Sequence, residues 1–165
     1  MANEIEGTLD AVAGHLASAR RILFITGAGI SADSGLPTYR GIGGLYEGSL
    51  TEDGYHIEDA LSGEMLRRHP EITWKYLAQI EANCRDAGPN AAHAAIARLE
   101  EEFASVLVLT QNIDGLHRAA GSRNVIEIHG DMHRLLCVSC GLQEHVESLE
   151  GREIPPQCPE CRGFM

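Results

Sequence analysis

The stretch FITGAGISADSGLPTYRG, residues 24–41, decides the fold class of this chain. It begins inside a short apolar run, RILFIT, which lacks alternating polar residues, as expected of a strand buried on both faces. A turn follows in which Gly27 and Gly29 allow a tight bend and a close approach of the backbone to a phosphate group. Glycine pairs also occur in ordinary turns, so this feature alone predicts a strand that ends in a turn and leaves both an ordinary turn and a phosphate-binding turn open.

The rest of the chain alternates predicted helices with predicted strands. An amphipathic helix is expected after Thr8, a weaker helical pattern covers residues 55–68, and a stronger helix begins at Pro70 and ends at Gly88. Asn90 can cap the next helix, AAHAAIARLEEE. The runs SVLVLT and NVIEIHG are the second and third predicted strands. This order predicts an α/β fold, with a Rossmann-like parallel sheet and helices on both faces.

Polar residues follow each of the three predicted strands, in the sequences GAGIS, QNIDG and HGD. Ligands of such sheets bind at the carboxyl ends of the strands, so we expect these three clusters to meet. His129 ends the third strand and is the preferred candidate for a general base, since imidazole exchanges a proton near neutral pH. His117, close behind QNIDG, is a second candidate. No acidic strand end lies about 20 residues beyond the glycine turn, which disfavours an ordinary dehydrogenase.

Four of the five cysteines form two C-x-x-C pairs separated by 17 residues. This spacing predicts a closed tetrahedral zinc site. The alternative is a redox pair, but that chemistry needs a C-x-x-C at a strand-to-helix turn, and these pairs lie beside glycine and proline. We therefore expect residues 1–132 to form a partial nucleotide-binding domain and residues 133–165 an incomplete zinc-ribbon-like lobe. The expected ligands are Cys137, Cys140, Cys158 and Cys161.

The charge balance disfavours several classes of partner. There are 24 acidic and 13 basic residues, a formal net charge of −11, which argues against nucleic-acid or anionic-membrane binding. The N-terminal residues contain no long apolar run typical of a signal peptide or a membrane span. A cytoplasmic protein is predicted, with its thiols reduced.

The motifs GAGISADSGLPTYRG, TQNIDGLHRAAG and EIHG, followed by the two C-x-x-C pairs, together resemble the sirtuins, the NAD-dependent protein deacylases. The resemblance runs from Ile22 to Cys161. It implies an enzyme that uses NAD to remove an acyl group from a lysine of a protein substrate, with release of nicotinamide and transfer of the acyl group to ADP-ribose. It also implies that the zinc ion is structural.

The resemblance further implies a role for particular residues. The glycine turn would line the NAD pyrophosphate, Asp33 would order the loop behind it, and His129, with Asn112 and Asp114, would form the catalytic group. The blander alternatives are that Tyr39 is a core residue, Arg40 a surface ion-pair partner and QNIDG an Asx-type turn. The complete set expected to bind NAD is Gly27, Ala28, Gly29, Ser31, Asp33, Thr38, Tyr39, Arg40, Gln111, Asn112, Ile113, Asp114 and His129.

The acyl preference is read from the helix that begins at Pro70. Sirtuins that favour succinyl or malonyl lysine carry a tyrosine and an arginine there, and alignment on Trp74 places Leu77 and Ile80 at those positions. An apolar wall favours acetyl or longer apolar acyl groups, because a carboxylate would find no partner. Tyr76 lies one position away, so a shifted register is the alternative.

Three functions stay open from the sequence. The first is the deacylase, the second is mono-ADP-ribosyl transfer or NAD hydrolysis, and the third is a non-catalytic zinc module that binds NAD or ADP-ribose. Sirtuins continue beyond the segment that corresponds to CPECRGFM, so the resemblance leads us to expect that the part holding the adenosine half of NAD is missing. The oligomeric state is not predicted.

Overall fold

A computed structural model describes residues 2–38 and 50–165, with the backbone alone for residues 2–4. Two of the expected ligand contacts, Tyr39 and Arg40, lie outside the described residues. The elements in chain order are α1 Ala2–Ser18, β1 Ile22–Thr26, a 3₁₀ turn Ala28–Ser34, α2 Ile57–Ala60, α3 Gly63–Arg68, α4 Pro70–Cys84, α5 Ala91–Glu102, β2 Val106–Thr110, α6 Leu116–Ala119, β3 Val125–Glu127, β4 Arg134–Leu136 and β5 Gln143–His145.

The first three strands form a parallel sheet in the order β1-β2-β3. Thr26 lies opposite Thr110, and Thr110 lies opposite Glu127, so the last residues of all three strands are in register. The predicted parallel α/β arrangement is confirmed. Its consequence is that the polar segments after the three strands leave the sheet at the same edge.

The two faces of this sheet differ in how they are covered. Ile96 of α5 packs with Val108 and Val125 on one face, together with Phe24 and Ile30. On the other face the exposed fractions are 54% for Leu23, 68% for Ile25 and 48% for Ile126. The expectation that the first strand is buried on both faces is therefore wrong for the described part of the chain, because no described segment covers these three side chains.

Several helix boundaries differ from the sequence prediction. Helix α1 begins at Ala2, not after Thr8, so Thr8 lies within the helix. Residues 55–68 form two short helices, since the Ser62 hydroxyl accepts a hydrogen bond from the Met65 amide (3.1 Å) and starts α3 afresh. Helix α4 ends at Cys84, four residues before Gly88.

The capping role of Asn90 is confirmed. Its side-chain oxygen accepts hydrogen bonds from the backbone N–H groups of Ala92 and His93, and its backbone N–H donates to Nδ1 of His93. This reciprocal pattern is a capping box, which satisfies backbone donors at the helix start. Helix α5 therefore covers the predicted segment, Ala91–Glu102.

Residues after β3 form a small lobe around an antiparallel pair, β4 and β5. Its core combines Leu135, Val146 and Leu149 with Trp74, which belongs to α4. The indole N–H of Trp74 also donates to the carbonyl of Met165 (3.0 Å). Helix α4 thus completes the core of the small lobe.

None of the helices in the described ranges is both long and apolar enough to cross a membrane.

Candidate functional site

The turn after β1 and the loop after β2 are joined by side-chain hydrogen bonds. The amide nitrogen of Asn112 donates to the carbonyl of Gly27 (3.2 Å) and to the Ser31 hydroxyl (3.0 Å). The Ser31 hydroxyl in turn donates to Oδ2 of Asp114 (2.7 Å). Ser31 is 1% exposed and Asn112 is 5% exposed, so these bonds form away from bulk water. Two of the three predicted clusters therefore meet at the sheet edge.

Asn112 also presents an unused acceptor. Its Oδ1 atom is buried and has no hydrogen-bond partner among the described residues. A buried acceptor without a partner is costly, and such groups in folded proteins are usually satisfied by a ligand or by water. Oδ1 of Asn112 is thus a buried acceptor that no described residue satisfies.

Asn112 lies in the wall of a cavity, which we call the amide cavity. Its apolar lining residues include Leu36, Ile80 and Met132, and its polar ones include Ser31, Asn112 and Asp114, a combination typical of small-molecule pockets. The full lining is Ala28, Ser31, Leu36, Pro37, Ile80, Asn83, Cys84, Asn112, Ile113, Asp114 and Met132.

Cys84 contributes a thiol to the same cavity. Burial raises its pKa to about 11, with a smaller contribution from the negative charge of Asp114. The thiol is therefore neutral at physiological pH and acts as an apolar wall.

His129 comes from the third strand end. Its Nδ1 donates to the carbonyl of Gln111 (3.1 Å), so the neutral ring keeps a free lone pair on Nε2. His129 lines a second cavity, the imidazole cavity, together with Trp74, Leu77 and Leu135. Ile113 and Met132 line both cavities, which places the imidazole beside the amide cavity. The third predicted cluster therefore joins the other two.

The remaining expected residues contribute in different ways. Gln111 acts through its backbone carbonyl, whereas Asp33 is exposed and Thr38 lines neither cavity. Gly27 has an extended backbone (φ −146°, ψ −169°), and the left-handed residue of this turn is Gly35 (φ 85°). A Cβ atom on Gly27 would meet nothing within 4 Å, so the space in front of the turn is open to a ligand.

His117, the second candidate for a base, does not occupy a base position. Its side chain is buried at 2% exposure, lines neither cavity and pairs through Nε2 with the hydroxyl of Thr26 (2.9 Å). Burial lowers its pKa, and the neighbouring His93 lowers it further. The expectation from chain position was wrong because α6 turns this ring inwards.

Sequence reasoning missed the second role of Asn90. Besides capping α5, its side-chain nitrogen donates to the carbonyl of Ile30 (2.7 Å) and to the hydroxyl of Ser34 (3.0 Å). These bonds attach the 3₁₀ turn to the start of α5. Local sequence signals do not contain this information, because Asn90 and Ile30 are 60 residues apart in the chain.

The four predicted metal ligands form a cluster in the small lobe. The sulfur atoms of Cys137, Cys140, Cys158 and Cys161 all lie within 4.8 Å of one another. The Cys137–Cys161 and Cys140–Cys158 sulfur distances are 3.5 and 3.6 Å, close to the ~3.8 Å edge of a tetrahedron with zinc–sulfur bonds of ~2.3 Å. Disulfides would need about 2.05 Å, so the geometry fits a zinc ion and not two oxidised pairs.

The fold and the site define a Rossmann-like α/β protein with a cysteine-rich lobe. The Sir2 family model matches residues 27–165 of the sequence. The chain therefore belongs to the Sir2 family.

Similar proteins agree with this assignment. The chain is 54% identical over 161 residues to NAD-dependent protein deacylase 2 of Pseudomonas aeruginosa, covering 93% of this chain and 61% of that protein. It is 38% identical over 144 residues to the NAD-dependent protein deacylase of Aquifex aeolicus, covering 87% of this chain and 58% of that protein. The chain thus spans about three-fifths of the length of these relatives.

Solved structures give the same result. A Sir2 homologue in complex with NAD superposes with a TM-score of 0.75 at 38% identity, over 90% of this chain and 56% of that one. A Sir2 protein bound to acetylated peptide gives a TM-score of 0.74 at 31% identity, over 94% of this chain and 60% of that one. The predicted Rossmann-like fold class is confirmed by these matches.

Proposed function

We propose that the protein is an NAD-dependent protein lysine deacylase that transfers the acyl group to ADP-ribose and releases nicotinamide. One observation carries the proposal: the three strand ends meet so that Asn112, which has an unpartnered side-chain oxygen, and His129, which has a free ring nitrogen, line adjoining cavities. Membership of the Sir2 family and the names of the relatives support it.

The amide cavity and the glycine turn are the proposed NAD site. Oδ1 of Asn112 can accept an N–H bond from the carboxamide of nicotinamide, and the Ser31 hydroxyl holds the Asp114 carboxylate in place beside it. The open space before Gly27 and Gly29 leaves room for the pyrophosphate, with Ala28 between the two glycines. NAD supplies a ribose carbon whose leaving group is nicotinamide, to which the acyl oxygen of the modified lysine can bond. Asp33, Thr38, Tyr39, Arg40 and Ile113 complete the proposed set of contacts.

His129 is the proposed general base. Its Nε2 atom accepts a proton from a ribose hydroxyl, while Nδ1 keeps its hydrogen bond to the carbonyl of Gln111. The carbonyl fixes the orientation of the ring and stabilises the positive charge that the imidazole gains. Asn112 and Asp114 complete the proposed catalytic group.

The small lobe is the proposed zinc domain, residues 133–165, next to a partial nucleotide-binding domain of residues 1–132. The antiparallel sheet and the cysteine cluster support this division. Four thiolates would fill all four positions of a tetrahedral zinc ion, so the metal would stabilise the lobe and take no part in the chemistry.

An apolar acyl group is the proposed substrate. Leu77 lines the imidazole cavity, which supplies an apolar wall close to His129. Ile80 faces the amide cavity instead, so the aligned pair is divided between the two cavities. Tyr76 is engaged elsewhere, since its hydroxyl donates to Asp53 (2.5 Å), which argues against the shifted register. Acetyl or longer apolar acyl lysines are therefore preferred over succinyl or malonyl lysine.

The proposed location is the cytoplasm, where the cysteines found free in the structure would stay reduced. The net charge of −11 supports a protein substrate over a nucleic acid or a membrane surface.

The proposal is tested by incubating the chain with NAD and an acetyl-lysine peptide and measuring nicotinamide and O-acetyl-ADP-ribose by mass spectrometry. The wild type is expected to form both, and His129→Ala to reduce them by about 100-fold or more, the usual contribution of a general base. His15→Ala, a change of an exposed histidine on α1, is the matched control and should leave the rate unchanged.

Two other outcomes identify the alternatives. If no O-acetyl-ADP-ribose forms, free ADP-ribose would indicate an NAD hydrolase, and ADP-ribosyl-labelled protein would indicate a mono-ADP-ribosyltransferase. Calorimetric binding of ADP-ribose without product above the His129→Ala background would leave a binding module.

A further inference from the structure

Two buried histidines lie directly behind the candidate site. His93 of α5 is fully buried, and His117 of α6 is almost so. Their rings meet edge to face, with centroids 4.8 Å apart and planes at 68°. Neither ring lines the amide or the imidazole cavity.

The hydrogen bonds of His93 require a neutral ring. Its Nδ1 accepts from the backbone amide of Asn90 (3.3 Å), which is possible only while that nitrogen carries no proton. His117 bonds through Nε2 to the Thr26 hydroxyl (2.9 Å). Nε2 of His93 and Nδ1 of His117 have no partner among the described residues. A charge on either ring would therefore be poorly compensated, since among the described residues only the carboxylate of Asp114 acts favourably on both.

Both histidines are connected to the glycine turn. Thr26 is the last residue of β1 and immediately precedes Gly27, whose carbonyl accepts from Asn112. Asn90, which donates to His93, also donates to the carbonyl of Ile30 within the same turn. The turn is thus held from behind at its start and near its middle.

His117 is also connected to the loop after β2. It lies in α6, three residues after Asp114, and Oδ1 of Asp114 accepts from the amide of Leu116 at the start of that helix (3.0 Å). Oδ2 of the same carboxylate accepts from Ser31 in the glycine turn. The Thr26–His117 bond therefore closes a ring of contacts between the two segments, in addition to the bond between Ser31 and Asp114.

We propose that His117 is a positioning residue of the candidate site: its neutral imidazole, through Thr26, holds the glycine turn against the Asp114 loop, and His93 supports that ring from α5. The consequence for ligand affinity rests on the proposed function, because it assumes that this turn binds the pyrophosphate of NAD. The consequence for the order of the turn does not depend on it.

The experiment compares two disruptive and two conservative variants. Thr26→Val and His117→Leu remove the hydrogen bond, whereas Thr26→Ser keeps a hydroxyl and His117→Gln keeps a polar group that can reach Thr26. Ile96→Val is the matched control, because it removes one methyl group from the buried cluster on the same helix as His93 without touching the hydrogen bond.

Two readouts separate positioning from general stability. Amide hydrogen exchange is followed at Ile30 and Gly35, whose N–H groups bond to Gly27 and Ala32 within the turn. The dissociation constant for ADP-ribose is measured by calorimetry at a temperature where each variant is folded. Thr26→Val and His117→Leu are expected to raise exchange at both amides and weaken ADP-ribose binding by about tenfold each, while the conservative variants stay within about threefold of wild type. The double variant Thr26→Val/His117→Leu should bind ADP-ribose as well as either single variant does, because both substitutions remove the same hydrogen bond.

Unchanged exchange at Ile30 and Gly35 in Thr26→Val would overturn the proposal, and so would an equal rise in Ile96→Val. If the wild type fails to bind ADP-ribose, the proposed function fails, and the exchange result still decides whether His117 positions the turn.

Discussion

At the scale of single residues, Ser31 is the centre of the candidate site. Its hydroxyl donates to Asp114 and accepts from Asn112, and these two residues come from a loop more than 80 positions further along the chain. A hydroxyl can both donate and accept in a very small volume. The orientation of the Asn112 amide, and with it the direction of its free carbonyl, is therefore fixed by this oxygen atom together with the carbonyl of Gly27.

Replacing Ser31 by alanine is expected to leave the Asn112 side-chain nitrogen without one of its acceptors. We expect a loss of about 1–3 kcal/mol in the free energy of unfolding, the usual cost of an unsatisfied buried polar group. Urea denaturation followed by circular dichroism measures this loss. Ser18→Ala is the control, because that hydroxyl bonds to the carbonyl of His15 at an exposed position of α1. Equal stability of the two variants would contradict the role given to Ser31.

The two buried histidines predict how stability depends on pH. Burial lowers the pKa of His93 and of His117 below the ordinary value of 6.5, so the unfolded chain binds protons that the folded chain does not. The contribution of the two histidines to the free energy of unfolding is therefore constant above pH 6.5. It falls as the pH drops below 6.5, by at most about 1.4 kcal/mol per pH unit for each histidine.

The measurement is urea denaturation between pH 7.5 and pH 5. Glu81 acts in a separate range: hydrogen bonding to Arg85 lowers its pKa below the ordinary 4.5, so its contribution is lost only at more acidic pH. His15→Gln should keep the wild-type profile, and His93→Gln should flatten it. A wild-type profile with no slope between pH 6.5 and pH 5 would show that the pair is not held neutral.

At the scale of secondary structure, different side chains of helix α4 contact α2 and the small lobe and line the two cavities. Thr73 donates to the carbonyl of Ala60 at the end of α2 (2.7 Å), and Trp74 enters the core of the small lobe. Leu77 faces the imidazole cavity, and Ile80 faces the amide cavity. The helical advance of about 100° per residue allows one helix to contact all of them. Both cavities therefore depend on the placement of this helix.

Trp74→Phe tests the attachment of α4 to the small lobe. The ring keeps most of its apolar contacts, but the hydrogen bond to the Met165 carbonyl is lost, so a decrease of about 1 kcal/mol in the free energy of unfolding is expected. Trp74→Ala should cost about 3–5 kcal/mol, because it also leaves a cavity in the core. Circular dichroism measures both, with Leu9→Ala on the exposed face of α1 as a control of small effect. A Trp74→Ala variant as stable as this control would show that Trp74 does not stabilise the packing of α4 against the small lobe.

At the scale of the whole molecule, α4 and the metal site share one packed region. Trp74 packs in the same cluster as Cys137 and Cys158, and these two cysteines also belong to the group of four sulfur ligands. The other large surface feature is the sheet face with Leu23 and Ile25, which is exposed in the described residues. A change at the metal site is therefore expected to reach α4 and, through it, the walls of both cavities.

Removal of zinc is expected to disorder the small lobe and expose Trp74, the single tryptophan of the chain. We expect one zinc ion per chain by atomic emission, and a red shift of tryptophan fluorescence when a chelator removes it. Added zinc should reverse the shift. Cys84→Ser is the control that keeps the metal, whereas Cys158→Ser should lose it. Full zinc content in Cys158→Ser, or tryptophan fluorescence that does not change when the chelator is added, would contradict a structural zinc site.

Most elements near the site could be predicted because their signals are local. The cap at Asn90 fixes the start of α5, and the apolar run before Gly27 forms a strand as expected. The helix ends were less accurate, as at Thr8 and Gly88, because propensity and short-range hydrogen bonds compete there. The convergence of the strand ends followed from parallel pairing alone.

The sequence by itself determined that the strands are parallel, which segments meet at their ends and which four cysteines group together, because each depends on local periodicity, on turn chemistry or on ligand spacing. Only the tertiary structure decided that His117 points inwards to Thr26, that Asn112 keeps a free carbonyl and that α4 closes the small lobe. These facts depend on contacts between residues 80 to 90 or so positions apart, and such contacts exist only once the chain is packed.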